Sequence, residues 1–393
     1  MAATINDLMQ PISSAEFDFS DPVRYDDVES KHRRIAEFLR HAGLDAMLLQ
    51  HPANFAWFTS GAGGLPPIDD RPAAALFVIP DARVVVTNNV EAALLFDKQL
   101  GGLGFQLKQR PWHEERHVLL EDLCRGRRVG ADTVTAGTTC VAEGLARMRQ
   151  TLAPIEQERL RTLGGLVAHA VEATARHVEA GETEADIAGE LSHRLLKHEV
   201  RPVWVRVAAD GRSGPYRHWT ASDSPLRRWC LVGAVGSRWG LHCACSRIVV
   251  LGAPTPELLT GYHQVALLTA TGRYFSQSGW TLAEVWKKVE RIYEKQGHPD
   301  EWQLADQGEV TGYLPKEALV NPTSAFRLQQ GMAIHWHPSI GPMQMSDTCL
   351  VGETKTELVT RQDEWPQLCV AVKGTPVMLP DLLIKEAKMA KEE

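Results

Sequence analysis

Residues 31–152 and 153–379 carry two successive rounds of helical and strand periodicity. In the first round Ile35, Phe38 and Leu39 share a helical face, and Gly43 supplies a stop. An apolar run of strand length follows at 45–49. Residues 74–79 and 83–87 read as the arms of a hairpin turned at Pro80-Asp81. Residues 128–131 read as a further strand, and 90–98 and 138–150 as helices. The pattern predicts an α/β unit.

Pro154 opens the second round at the first turn of a long helix, where its missing N–H costs nothing. Leu160, Leu163, Val167, Ala170, Val171 and Thr174 keep a near-helical period, so one face of that helix lies on a core. After Gly181, Thr183 caps another helix, with Asp186 at the reciprocal position three residues on. Residues 203–208, 229–235 and 241–250 are strand-rich. Helices are expected at 256–272 and 281–296, the second ended by Gly297. Residues 1–30 read as an acidic arm, and 380–393 as a Lys- and Glu-rich tail in the form of a frayed helix.

A chain of 393 residues is long enough for two cores. Its net charge of -7 is spread over interspersed acidic and basic residues. There is no basic stripe, so a nucleic acid is not an expected partner. No apolar run reaches the ~18 residues of a membrane span, and a membrane is not expected either. The opening MAATINDLMQ lacks the basic and apolar regions of a secretory leader. Seven scattered cysteines read as reduced thiols, which fits a cytoplasmic protein. Cys243 and Cys245 are the one close pair, too few for a zinc site.

Three phrases carry a resemblance. The first is RRIAEFLRHAGLDAMLLQHPANFAWFTSGA at 33–62, and the second is the long helix followed by Gly181-Glu182-Thr183-Glu184. The third is the stretch 301–351, with Gly331-Met332, Pro338 and Asp347-Thr348. In order and spacing they resemble the creatinase/prolidase/methionine aminopeptidase superfamily over residues 31–355. The resemblance implies an α+β protein: a creatinase-like N-terminal α/β domain at 31–152, then a pita-bread catalytic-type domain at 153–379. It also implies a homodimer.

That superfamily holds two metal ions with two Asp, one His and two Glu. Residues 231–247, LVGAVGSRWGLHCACSR, keep the hairpin frame through Gly240-Leu241 and Ser246-Arg247. The two Asp positions fall at or near Gly233 and on Ala244. The His position falls within 304–308, where Asp306 is the nearest substitute. The two Glu positions fall on His337 and Ser346. None of the five expected ligands is present, so no metal cofactor is expected. The alternative is one atypical ion near Asp306, His335, His337 and Asp347, since His335 and His337 share a strand face.

One catalytic element of the superfamily is matched. His218 follows the loop 210–214, DGRSG, where creatinase places its proton-transfer histidine. Asp306, Glu309 and His337 are candidates to work with it. Arg247, Glu317, His335, Asp347, Trp219 and Trp336 are candidate substrate-binding groups, the indoles as pocket walls. His337 stands where creatinase presents a glutamate to a guanidinium, which argues against creatine. The expected function is a metal-independent hydrolase or lyase. It would act on a small amide- or amidine-like molecule or short peptide, with His218 as general acid/base. The alternatives are an inactive descendant that binds or scaffolds, and a peptidase with an atypical metal site.

Overall fold

The computed structural model describes residues 21–63, 74–214, 216, 218–361 and 364–386. They form two compact units, divided after Val141. The helix Ala142–Gln150, read above as closing the first domain, belongs to the second unit.

The first unit begins with the helix Pro22–Ala42. Asp21 caps it by accepting the Arg24 N–H at 3.0 Å, and Gly43 ends it in the left-handed region at φ 65°. The acidic arm is therefore shorter than the sequence implies. Asp27 is already buried, paired with Lys31 at 2.7 Å. Residues 1–20 of that arm lie outside the described residues. A six-stranded mixed sheet follows, in the spatial order 106–110, 82–88, 75–79, 46–49, 129–131 and 139–140. The expected hairpin is there, with Val78 opposite Arg83.

In the second unit the helix Ala142–Gln150 is followed by α1 (Pro154–His177) and α2 (Glu184–Lys197). Thr183 caps α2 and Asp186 returns the bond, the reciprocal cap expected from sequence. Three antiparallel strands come next: β1 (Arg201–Ala209), β2 (Trp229–Arg238) and β3 (Leu241–Leu251). The apolar stripe of α1 lies on β2 and β3. Two helices follow, α3 (Pro256–Phe275) and α4 (Leu282–Lys295).

A second, five-stranded sheet has β4 (Gly308–Thr311), β5 (Ala333–Trp336) and β6 (Asp347–Val351) as its central strands, all antiparallel. Thr348 of β6 stitches it to β3: its hydroxyl donates to the Ala244 carbonyl at 2.9 Å and accepts the Ala244 N–H at 3.0 Å. The core lies between these sheets and α3 and α4, around Trp286, Tyr293, Val310, Ile334 and Trp336.

The charged tail departs from expectation. Residues Leu383–Lys385 form a strand, β7, parallel to β3 with Ile384 opposite Val250. The outer edge of β3 offers unmet backbone hydrogen bonds, and this short apolar segment takes them. Lys385 also donates to the carbonyls of Arg176 and Val178. Residues 387–393 lie outside the described residues. Among those described, no helix is long and apolar enough to cross a membrane.

Candidate active site

β4 and β5 pair with Glu309 opposite His335, so both side chains leave the sheet on one face. His337, two residues on, joins them; the two imidazole centroids are 4.7 Å apart. Glu309 divides its carboxylate between them: Oε1 lies 2.5 Å from His335 Nδ1, and Oε2 lies 2.8 Å from His337 Nε2. All three side chains are buried.

Burial opposes ionisation of Glu309. The imidazoles of His337 and His335 outweigh it and hold the carboxyl well below the usual carboxylate range. An ionised carboxylate only accepts, so both facing nitrogens donate. His335 therefore carries its proton on Nδ1, and its Nε2 accepts the Ser346 hydroxyl at 2.7 Å. Burial lowers the His335 pKa and keeps that ring neutral. His337 donates to Glu309 through Nε2, and its Nδ1 has no partner among the described residues.

The array lines a cavity of about 120 Å³. Trp204 and Arg206 alternate on β1 and enter from one wall. The Arg206 guanidinium lies 4.2 Å from the Trp204 ring centroid and 5.2 Å from that of Trp219. The Trp219 indole is fixed by donating to the Val207 carbonyl at 2.8 Å. His218 is exposed at the rim and stacks on Trp204 at 5.1 Å. Asp306 sits at the other wall, bonded to Lys316, with its Oδ2 4.0 Å from His337 Nε2. Burial pushes the Asp306 carboxyl up, but the Lys316 bond and the nearby imidazole leave it below the usual value.

Six of the residues named from sequence thus meet in one cavity: His218, Trp219, Asp306, Glu309, His335 and His337. Four others are placed elsewhere. Arg247 is buried between Glu172 at 2.9 Å and Asp347 at 3.0 Å, so it and Asp347 neutralise each other in the core. Glu317 takes a fork of two bonds from Arg149, at 2.9 and 2.7 Å. Trp336 alternates to the opposite face of β5 from His335 and His337. Its indole fills a slot left by Gly272 and Gly308, where an added Cβ would meet the ring at 2.6 and 3.0 Å.

The sequence reading did not single out Arg206 or Lys316. The signal for Arg206 was present, because strand alternation places it on the same face as Trp204. It also assigned Asp306 to the histidine slot, whereas the carboxylate at the centre is Glu309. Only the register of β4 against β5 reveals that.

The two-ion centre implied by the resemblance does not fit these residues. Ala244 and Gly233 offer no donor. A Cβ on Gly233 would stand 2.9 Å from Ser246 Cβ and 3.0 Å from the Cys245 carbonyl oxygen, so the backbone has closed over that position. The Ser346 hydroxyl is engaged by His335. What remains is Glu309, His335 and His337, with donor atoms within 4.8 Å of one another. Two imidazoles and one carboxylate are a donor set for a single ion. Here each already has a hydrogen-bond partner within the set.

The sequence description of metallopeptidase family M24 matches residues 158–359, just over half of the chain. None of the curated proteins matches the sequence. Among solved structures, the prolidase from Pyrococcus horikoshii OT3 superposes with a TM-score of 0.73 at 17% identity, covering 85% of this chain and 99% of its own. The Xaa-Pro dipeptidase from Bacillus anthracis gives 0.74 at 18%, covering 91% and 100%. The N-terminal domain of the FACT complex subunit SPT16 from chickpea, Cicer arietinum, gives 0.67 at 12%, covering 88% and 97%. At these identities the likeness is one of fold.

Proposed function

We propose, from the premise that this chain belongs to metallopeptidase family M24, that it is a hydrolase whose proton transfers run through histidine and carboxylate groups without a metal ion. The observation that carries this reading is the His335–Glu309–His337 array lining the cavity. Charge supports it. Asp306 is paired with Lys316, and Glu309 is shared by the two imidazoles, so neither carboxylate is left over. A divalent ion would add two positive charges with no surplus anion to answer them.

In this reading His337 Nδ1 takes a proton from water as the water oxygen adds to an amide carbonyl carbon. Glu309, bonded at Nε2, stabilises the imidazolium that forms, and His335 and Ser346 hold the carboxylate in place. When the C–N bond breaks, the leaving nitrogen takes a proton from the His337 imidazolium, with His218 at the rim as the relay. Arg206 and Lys316 repel a second cation, which favours an amide over an amidine. Fold neighbours named prolidase and Xaa-Pro dipeptidase make a dipeptide-sized amide the first substrate class to try.

A cleft that binds without turnover is the second reading. One fold neighbour is named as a complex subunit rather than a peptidase, and Glu309, His335 and Ser346 already satisfy one another. The test is metal analysis of protein purified without chelator, with hydrolysis of a dipeptide panel before and after chelation. Little metal, chelator-insensitive turnover and its loss in His337→Asn are the expected results. Near-stoichiometric metal with chelator-sensitive turnover would overturn the metal-free reading. No turnover of any amide would favour the binding cleft.

A further inference from the structure

One charged group in the cavity has no hydrogen-bonded partner among the described residues. The Arg206 side chain is 5% exposed, and among the described residues its guanidinium makes no hydrogen bond or ion pair. Its contacts are the faces of Trp204 and Trp219. The nearest carboxylates are committed elsewhere: Asp306 to Lys316, and Glu309 to the two histidines. Buried guanidinium groups are normally paired, because an unpaired one bears its full desolvation cost. Burial pushes this one down to about 10, with Glu309 and Asp306 only partly offsetting it. Yet the side chain is held in place by two indoles and lines the cavity.

We propose that Arg206 is the binding site for a free carboxylate on the substrate, which makes the substrate class small amides bearing that group. The inference rests on the reading of this cavity as an amide hydrolase site. A guanidinium fork matches a carboxylate with two parallel hydrogen bonds. The planar pair would lie along the indole of Trp204. A phosphate presents a similar edge, but its second negative charge is repelled by Glu309 and Asp306, which line the same cavity. A singly charged carboxylate avoids most of that repulsion. The arrangement also orients the ligand, since one end is fixed at β1 while the amide faces Nδ1 of His337.

The experiment measures binding by calorimetry and thermal shift at fixed ionic strength. The probes are N-acetylglycine, its neutral relative N-acetylglycinamide, and inorganic phosphate. N-acetylglycine is expected to bind at least about tenfold more tightly than the neutral amide, the worth of a charge-assisted pair. Arg206→Met abolishes that preference, and Arg206→Lys, which keeps charge but loses the fork, weakens it. The unliganded Arg206→Met protein melts no lower than wild type, because an unpaired buried charge has been removed. A purely structural arginine would lower it. Equal binding of the two glycine derivatives, phosphate binding as tight as N-acetylglycine, or an Arg206→Met variant with unchanged affinity each overturns the proposal. His337→Asn separates the two readings. If it keeps the carboxylate preference while no amide is ever hydrolysed, the anion site stands and the hydrolase reading falls. If amides are hydrolysed equally well by Arg206→Met, the anion site falls and the hydrolase reading stands.

Discussion

His337 Nε2 lies 2.8 Å from Glu309 Oε2, and the same carboxylate reaches His335 through its other oxygen. Two imidazoles therefore share one buried anion, and that anion fixes which nitrogen of each ring carries the proton. Glu309→Gln keeps the shape and removes the charge. An amide can accept from one ring but must donate to the other, so one tautomer is lost. We expect kcat to fall by about 10²–10⁴ if the array is the proton relay. The midpoint of urea unfolding should drop by the equivalent of ~1–3 kcal/mol. Unchanged kcat in this variant would remove the array from the mechanism.

The pH dependence of stability follows from His242. Burial pulls this cavity-lining imidazole down from 6.5 to about 4, against the Gly312 carbonyl and with help from Arg201. Between those two values the unfolded chain holds a proton that the folded chain lacks. Stability is therefore complete above pH 6.5 and is lost as pH falls toward 4. The shift corresponds to a loss of up to about 3 kcal/mol. His335 and Glu309, both lowered, act with the same sign. Unfolding midpoints measured from pH 4 to 7 should fall on acidification, and less steeply in His242→Asn. An identical slope in the two proteins would exclude His242 as a contributor.

The fold was legible because its cues are local. Thr183 with Asp186, Gly43, and the period of Leu160, Leu163 and Val167 each act within a turn or two of helix, and each formed as read. The emptied metal positions at Gly233 and Ala244 were legible for the same reason, since the hairpin frame survives around them. What could not be read is what depends on register and facing. Glu309 becomes the centre of the site only because β4 sets it opposite His335. Arg247 and Asp347, read as substrate groups, find each other across 100 residues of chain and cancel inside the core. The tail defied its composition because β3 had an open edge to offer Leu383–Lys385.

Arg247 should behave as a structural cation. It holds Glu172 and Asp347 together and donates to the Thr360 carbonyl at 2.8 Å. Burial already pushes the Glu172 carboxyl up, with Arg247 opposing that shift. Arg247→Met leaves two carboxylates facing each other without their cation, at an expected cost of about 3–5 kcal/mol. Denaturant unfolding checks the size. KM of the fraction that still folds should be unchanged, because the side chain does not line the cavity. A shifted KM with normal stability would return Arg247 to the substrate-binding set.

His218 should show the reverse profile. It is exposed, and its ring stacks on Trp204. His218→Ala is expected to leave the melting temperature nearly unchanged and to lower kcat by about 10²-fold. Steady-state kinetics alongside a thermal melt distinguish the two effects. Full activity in the alanine variant would confine proton transfer to the buried array.

Restoring aspartates at Gly233 and Ala244 tests whether the metal site is merely unoccupied by ligands or structurally closed. A Cβ on Gly233 would press within 2.9 Å of Ser246 Cβ on the paired strand, and Ala244 has both backbone groups tied to Thr348. Gly233→Ala alone should therefore cost ~1–3 kcal/mol through overpacking. Gly233→Asp with Ala244→Asp adds two buried carboxylates. Glu309 and both histidines are already engaged, and the second glutamate position holds Ser346. The double variant is expected to melt well below wild type and to copurify with no more metal than wild type. Near-stoichiometric metal together with a raised melting temperature would mean that the site reopens around ligands. The absence of aspartate would then be a recent loss on an intact scaffold, whereas a closed site means that packing has since followed the loss of the ligands.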